Sequence, residues 1–283
     1  MSDLKEFRLG IIGGCLSHQS DIPHSQLFHR QLDRILQERD GIRLKVAITR
    51  HFNLDYRDRL EALLEESEVD GVLLHLRVVF VAKSVLLVNR LVEGRRQYRL
   101  HPFFFRRNET GWNKEMSAAP VGKVLFASRE PPKAADRDED PFDRPTPSKK
   151  MFGFRLRSLN LEVGALAGLD DWAISDEFAM FDEFKKHCLQ RKVPFFILGP
   201  TPVTVYSAET NLWWKMNKRI RNGFSANNDP FCLIEQIEDE TGNPMLHGDG
   251  FHLNEFGHAH VSRRLYETMA PWIRDNLQQT GET

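Results

Sequence analysis

Short apolar runs alternate along this chain with segments of helical spacing, and that alternation limits what it can fold into. Leu9-Gly10-Ile11-Ile12 reads as a buried strand ending in the glycine pair Gly13-Gly14. Residues 25–39 place Leu27, Leu32, Ile35 and Leu36 near one helical face, and Gly41 closes the segment. Leu44-Lys45-Val46-Ala47-Ile48 reads as a second strand. Residues 56–66 form a helical pattern with Leu60, Leu63 and Leu64 on one face, and residues 69–76 a third, strongly apolar strand. Strands this apolar have no face to offer to water and must be covered on both sides. The pattern therefore predicts an α/β protein with a parallel sheet covered by helices on both faces.

The second half continues the alternation. Residues 176–190 read as a helix with Phe178, Phe181, Phe184 and Cys188 on its inner face, and Val193-Pro194-Phe195-Phe196-Ile197-Leu198 as a strand stopping at Gly199-Pro200. Asn254 is an expected N-cap, Val261, Leu265 and Met269 continue a helical stripe, and Pro271 is expected to kink or end that helix. Residues 78–169 fit the alternation poorly, and residues 128–150, rich in Pro, Asp, Arg and Lys, read as a solvated, flexible loop. The expectation is one domain over residues 1–283 with an insertion at about 78–169.

Charge narrows the partners. A formal net charge of -1 gives no overall pull toward nucleic acid or an anionic membrane. The most apolar stretch, residues 78–92, is shorter than a spanning helix and contains Lys83, Asn89 and Arg90. The first eight residues lack a secretory pattern, and three cysteines (Cys15, Cys188, Cys232) suit free thiols in a reducing compartment, so a soluble, cytoplasmic protein is expected. Arg90, Arg95, Arg96, Arg99, Arg106 and Arg107 cluster with Tyr98 and Phe103 to Phe105. That cluster reads as a solvated or subunit-packing face, as a seat for an anionic substrate or carrier, or, against the neutral overall charge, as a nucleic-acid surface. Trp213-Trp214 is either pocket lining or core.

Chemistry concentrates at the two ends. In a parallel sheet ligands bind beyond the C-terminal ends of the strands, where Gly13-Gly14-Cys15-Leu16-Ser17 falls. At the start of a helix Cys15 would be a candidate thiolate nucleophile, with Ser17 as the alternative; the plain reading is a tight turn with a small buried residue. Near the other end, Asp249-Gly250-Phe251-His252 spaces a carboxylate three residues before a histidine. As a dyad, Asp249 orients His252 for general base and then general acid work. As a metal site, His247, Asp249, His252, His258 and His260 would be the ligands, although His258 and His260 point apart on a helix. As structure, the stretch is a polar loop capping a helix.

These two ends, in order, resemble the SGNH (GDSL-type) hydrolase superfamily. Its first block is a strand followed by Gly-Asp-Ser-x-Thr/Ser, matched by Ile11-Ile12-Gly13-Gly14-Cys15-Leu16-Ser17. Gly14 stands at the family's Asp, Cys15 at its nucleophilic Ser and Ser17 at its Thr/Ser. The last block, Asp-x-x-His-Pro-Asn-x-x-Gly-His, is matched by residues 249–258 with Leu253 in place of Pro. The family's oxyanion glycine after the second strand has no counterpart in Thr49-Arg50-His51-Phe52. In the third block, Gly-x-Asn-Asp, His75 falls on the Gly and Arg77 on the Asn.

The resemblance implies the SGNH-hydrolase fold, a three-layer α/β/α sandwich with a parallel, flavodoxin-like sheet and here a large insertion, and a hydrolase or acyltransferase acting on an ester or thioester. Cys15 would be the nucleophile, His252 the base and Asp249 its orienter, with Gly14, His75 and Arg77 at the oxyanion and substrate positions. It implies no cofactor and no metal, and a small-molecule or carrier-bound acyl substrate. Cysteine at this position favours thioester chemistry, so acyl transfer stands beside esterase activity. The alternatives are a non-catalytic SGNH-fold binding or scaffold protein, to which the missing oxyanion donors point, and a metal-dependent hydrolase using the C-terminal histidines. Oligomeric state is not readable from the sequence.

Overall fold

The structure is a computed structural model and describes residues 4–18, 22–50, 56–78, 125–126, 162–164, 166, 168–204, 207–247, 250 and 252–281. The strands are β1 (Lys5–Gly13), β2 (Ile42–Arg50), β3 (Gly71–His75), β4 (Leu125–Phe126), β5 (Phe195–Leu198) and β6 (Phe231–Cys232). They form a single sheet in the order β4-β2-β1-β3-β5-β6. The five strands from β2 to β6 run parallel, and β4 lies antiparallel on the outer edge with Ala47 opposite Phe126. This is the flavodoxin-like order with one added edge strand. The 78–92 segment, the Arg and aromatic cluster and the 128–150 loop lie outside the described residues, apart from Val78.

The helices are α1 (Phe28–Asp40), α2 (Tyr56–Glu66), α3 (Leu169–Arg191), α4 (Ser207–Asn227) and α5 (Glu255–Gly281). Alternate strand residues sort into two cores. Ile12, Val72, Leu74, Phe195 and Ile197 pack under α2, α3 and α4. Phe7, Leu9, Ile11, Leu73, Phe196 and Leu198 pack under α1 and α5. The near-continuous apolar strands are thus buried on both faces, as the sequence predicts. Outside this core, Arg8 on β1 takes Asp70 just before β3, with its backbone N–H at 2.7 Å from Oδ2 and its Nη2 at 2.8 Å from Oδ1. That clamp holds the register of the two central strands.

Two helices run further than the sequence expectation. α3 starts at Leu169 rather than near 176, because Ala173 and Ile174 extend its buried stripe and two acids, Asp170 and Asp171, occupy its first turn. α5 passes through Pro271 instead of ending there. The proline faces solvent, while Trp272 next to it sets its ring edge-on to Phe7 and Phe196, each at 5.6 Å, and Ile273 is fully buried. Tertiary packing there outweighs the loss of one backbone hydrogen bond. Trp213 belongs to α4 and the core, its Nε1 donating to Pro200 O at 3.1 Å, whereas Trp214 is half exposed. Among the described residues, no helix is long and apolar enough to cross a membrane.

An exposed proline inside a helix leaves a carbonyl unpaired and costs helix stability. Pro271→Ala is expected to raise the stability of the fold by about 1–2 kcal/mol, part of the intrinsic penalty being offset by greater unfolded-state freedom. Urea unfolding of both proteins checks it, and a lower midpoint for the alanine variant would contradict it.

Candidate active site

In this strand order the connections diverge between β1 and β3, so their C-terminal ends open a crevice. β1 ends at Gly13, Gly14 bends, and a single 3-10 turn, Cys15–His18, follows with Ser17 N–H donating to Gly14 O at 3.2 Å. The expected helix behind Cys15 is only this turn, too short for a developed dipole. The side chain of Cys15 lies outside the described part of the structure.

A positive charge reaches the turn by another route. Arg77, two residues past β3, lays its guanidinium directly on Gly14. A methyl group added at Gly14 would lie 2.6 Å from Arg77 Cζ, 2.6 Å from Nη1 and 2.7 Å from Nε. No other residue fits at position 14 while the arginine stays. The two positions that the sequence singles out on separate strands are therefore in contact.

Ser17 and His75 are placed differently. Ser17 is fully buried, and its hydroxyl is packed against Gly13, where an added methyl would collide with Oγ. His75 is buried at the end of β3, opposite Leu198 of β5. Burial first, and then the nearby Arg77 charge, push its imidazole down to about 3, so it is neutral at ordinary pH.

The His252 end is a tightly tied loop. His247 N–H donates to His252 O at 2.8 Å, Gly250 N–H to His247 O at 2.8 Å, and Thr204 N–H to Gly250 O at 2.9 Å. Gly250 takes the left-handed conformation, φ 66°, that this turn requires. Asn254 is the N-cap of α5, its Oδ1 accepting Gly257 N–H at 3.0 Å. Its amide also donates to Pro244 O at 2.7 Å and Leu246 O at 3.2 Å, clamping the incoming arm of the loop to the helix start. Gly257 sits so close to Met245 O that a side chain there would strike it. Asp249 lies outside the described residues. His252 is half-buried at the base of this loop.

The other histidines of the cluster have work elsewhere. His258 is buried, and its Nδ1 accepts the N–H of Phe28, the first residue of α1, at 3.2 Å. His260 Nδ1 lies 3.2 Å from Glu240 Oε1 on the far side of the helix start. Among the described residues, no three His, Cys, Asp or Glu side chains converge to hold a metal ion. Thr49 is buried at the end of β2, and the residues after Arg50, where the resemblance would seek an oxyanion glycine, lie outside the described residues.

Sequence reasoning missed a buried acid beside this site. Glu177 of α3 is 1% exposed, and one carboxyl oxygen accepts the hydroxyl of Tyr56 from α2. Burial pushes its carboxyl up to about 8, against the Tyr56 hydrogen bond and the Arg77 charge, which both lower it. Its signal was spacing: Glu177, Phe181, Phe184 and Cys188 fall on one helical stripe, which Ala173 and Ile174 extend.

The chain matches no protein-family model and no curated protein. Solved structures align along most of its length. One is the psychrotrophic esterase EstA from Pseudoalteromonas sp., at 12% identity and TM-score 0.42, covering 94% of this chain and 98% of that one. A second is the acetyl-xylooligosaccharide esterase Axe2 from Geobacillus stearothermophilus, at 11% identity and TM-score 0.47, covering 94% and 96%. A third is a lipolytic protein of the G-D-S-L family from Veillonella parvula, at 8% identity and TM-score 0.46, covering 93% and 98%. The chain resembles proteins of this type. The strand order and the two buried sheet faces are what establish its fold.

Two outcomes follow from this geometry. Asn254→Asp keeps the cap oxygen and removes both amide donors, so it should loosen the His252 loop and, if His252 is the base, lower kcat about tenfold. Asn254→Ala should in addition lose about 1 kcal/mol of stability. Steady-state kinetics beside thermal melts separate the two effects. Buried His29, His75 and His258 are each held down to about 3, chiefly by burial. With folded values below the ordinary 6.5, their contribution is complete above about pH 6.5 and is lost as pH falls toward 3. The melting temperature should therefore drop through that window. His258→Gln, which keeps an acceptor near the Phe28 N–H, should flatten part of the drop, and an unchanged slope would contradict the assignment.

Proposed function

We propose that this chain is an SGNH-type hydrolase or acyltransferase that works on an ester or thioester through an acyl-enzyme on Cys15. The observation that carries the reading is the Arg77 guanidinium lying on Gly14, one residue before Cys15, at the sheet's switch point. A fixed cation beside a cysteine favours the thiolate and can stabilise an acyl oxyanion, the two things such a reaction needs. Ser17, the other candidate nucleophile, is enclosed, which supports Cys15. On this reading residues 78–169 are an insertion within one domain that spans the chain. The free, buried thiols Cys188 and Cys232 suit a reducing, cytoplasmic setting.

In the proposed cycle His252, oriented by Asp249, takes the proton of the Cys15 thiol. The thiolate adds to the acyl carbonyl, and the amide of Cys15 with Arg77 stabilises the oxyanion. The C–O or C–S bond of the donor breaks as His252 returns the proton to the departing alcohol or thiol. Water or an acceptor, deprotonated by His252, then attacks the thioester and releases Cys15. No cofactor enters the cycle. The substrate is a small-molecule or carrier-bound acyl donor.

The test is intact-protein mass spectrometry after incubation with activated acyl esters and thioesters. An acyl adduct is expected on the wild type and on Ser17→Ala, and none on Cys15→Ala. Arg77→Ala should slow its formation by about a hundred- to a thousandfold, the usual cost of one oxyanion donor. Burial pushes Cys188 up to about 12 and Cys232 up to about 11, so native-state alkylation should stop at one thiol. An adduct that survives Cys15→Ala would overturn the assignment. No adduct with any donor would favour the non-catalytic binding protein.

A further inference from the structure

The loop that carries His252 is shaped by its own hydrogen bonds, His247 N–H to His252 O and Gly250 N–H to His247 O, which fix its form but not its place beside the sheet. A bond from another segment bears on its place. Gly250, which stands between Asp249 and His252 in the chain, accepts the N–H of Thr204 at 2.9 Å. Thr204 ends the segment 199–204, which leaves the C-terminal end of β5. The other end of the same peptide unit is also held, since the carbonyl of Val203 accepts the hydroxyl of Thr210, near the start of α4, at 2.8 Å. A trans peptide is planar, with its C=O and N–H pointing opposite ways, so a grip on the carbonyl aims the amide. Bonds at both ends also polarise the unit, and each strengthens the other. The path from α4 to the histidine loop is thus two hydrogen bonds joined by one rigid plane. Further along α4, Trp213 Nε1 donates to Pro200 O at 3.1 Å and Asn217 Nδ2 to Ile234 O at 3.2 Å. Thr210, Trp213 and Asn217 share one helical face and grip the segments that leave β5 and β6. Trp213 and Asn217 act close to the strand ends, and Thr210 acts next to Gly250.

We propose that Thr210 is a positioning residue for His252: by holding the Val203 carbonyl it aims the Thr204 N–H at Gly250 and seats the histidine loop against the segment that leaves β5. The catalytic part of this inference rests on the acyl-transfer reading above, but the seating of the loop does not. Thr210 acts through Thr204 and Gly250 and touches no reacting atom. Without its hydroxyl the Val203–Thr204 plane loses the bond that sets its tilt, and the amide is free to turn away from Gly250. The Thr204 hydroxyl cannot take over, because at 3.4 Å from Gly250 O it lies beyond a good O–H···O bond. A general base tolerates little displacement, and a misplacement of about 1 Å can cost about a hundredfold in rate. The loss therefore falls on the chemical step and leaves the binding of the acyl donor as it was.

The experiment compares wild type, Thr210→Val, which keeps the shape and removes the donor, and Thr210→Ser, which keeps the donor. Where Thr210→Val does not fold, Thr210→Ala takes its place. The first readout needs no substrate: amide hydrogen exchange at Thr204, set against exchange at Ile197 of β5, whose N–H donates to Pro230 O at 3.0 Å. Thr210→Val should speed exchange at Thr204 about tenfold relative to Ile197, and Thr210→Ser should stay within about twofold of wild type. The second readout is the single-turnover acylation rate against donor concentration. Thr210→Val should lower the saturating rate about tenfold with the half-saturating concentration unchanged, and Thr210→Ser should restore it. Exchange at Thr204 that is unchanged in Thr210→Val, or that rises only in step with Ile197, overturns the seating of the loop whatever the activity. A saturating rate that is unchanged in Thr210→Val, or that falls equally in Thr210→Ser, overturns the positioning of His252. If the wild type forms no acyl adduct, the acyl-transfer reading fails, while the exchange result still decides whether Thr210 seats the loop.

Discussion

The contact between Gly14 and the Arg77 guanidinium is the constraint on which the rest of the site depends. With an added Cβ at 2.6 Å from the guanidinium carbon, position 14 can carry a side chain or the arginine can stay, not both. The resemblance places Asp at 14 and Asn at 77. A chain with that pair keeps a small amide donor and a carboxylate, whereas this one keeps a cation and a bare backbone. On the proposed reading the two differences from the family pattern meet at a single point, where the C-terminal ends of β1 and β3 lie side by side. Read separately in the sequence they look like two losses.

The loop that carries His252 explains why its motif is longer than a dyad needs. Asn254 caps α5 and ties the incoming arm of the loop to it, Gly257 makes room for the Met245 carbonyl, and His258 accepts the first N–H of α1 from across the interface. Each residue does a different physical job, and together they fix where α5 begins and how it lies on α1. His252 takes its place from that scaffold. An isolated Asp-x-x-His in a free loop would carry the same chemistry without the same placement.

The parts that were legible in the sequence are those set by local pattern. The strands around 9–12, 44–48 and 69–76, the helix at 56–66 and the N-cap at Asn254 follow from apolar runs, 3.6-residue spacing and capping chemistry. What was not legible depends on distant partners. β4 and β6 are two residues each, too short for a period to show, and exist through pairing with β2 and β5. Pro271 reads as a stop because the sequence does not show Trp272 packing on Phe7 and Phe196. Glu177 stands among Asp176, Asp182 and Glu183 in the chain, and its acid type hides that its spacing from Phe181, Phe184 and Cys188 puts it on the buried stripe. The meeting of Gly14 with Arg77 could be suspected from the motif positions, but its closeness is a property of the assembled sheet.

On the proposed reading, cysteine at position 15 belongs with the same exchange. A serine hydroxyl ionises far above neutral pH, and a neighbouring cation alone cannot bring it into range, so a serine enzyme leans on its base and on neutral donors. A thiol starts near 8.5, and one adjacent guanidinium is enough to shift a large share of it to thiolate. A permanent cation on the nucleophile turn is therefore worth more to Cys15 than it would be to serine. It also carries a cost, because an unbalanced charge beside a buried histidine and a buried carboxyl must be held in place without being neutralised. Burial holds His75 down and Glu177 up, so neither buried group carries a charge at neutral pH that would cancel the arginine. On that reading the missing side chain at Gly14 is what admits the Arg77 charge to the turn, and the neutral state of His75 beside it is what leaves the charge available.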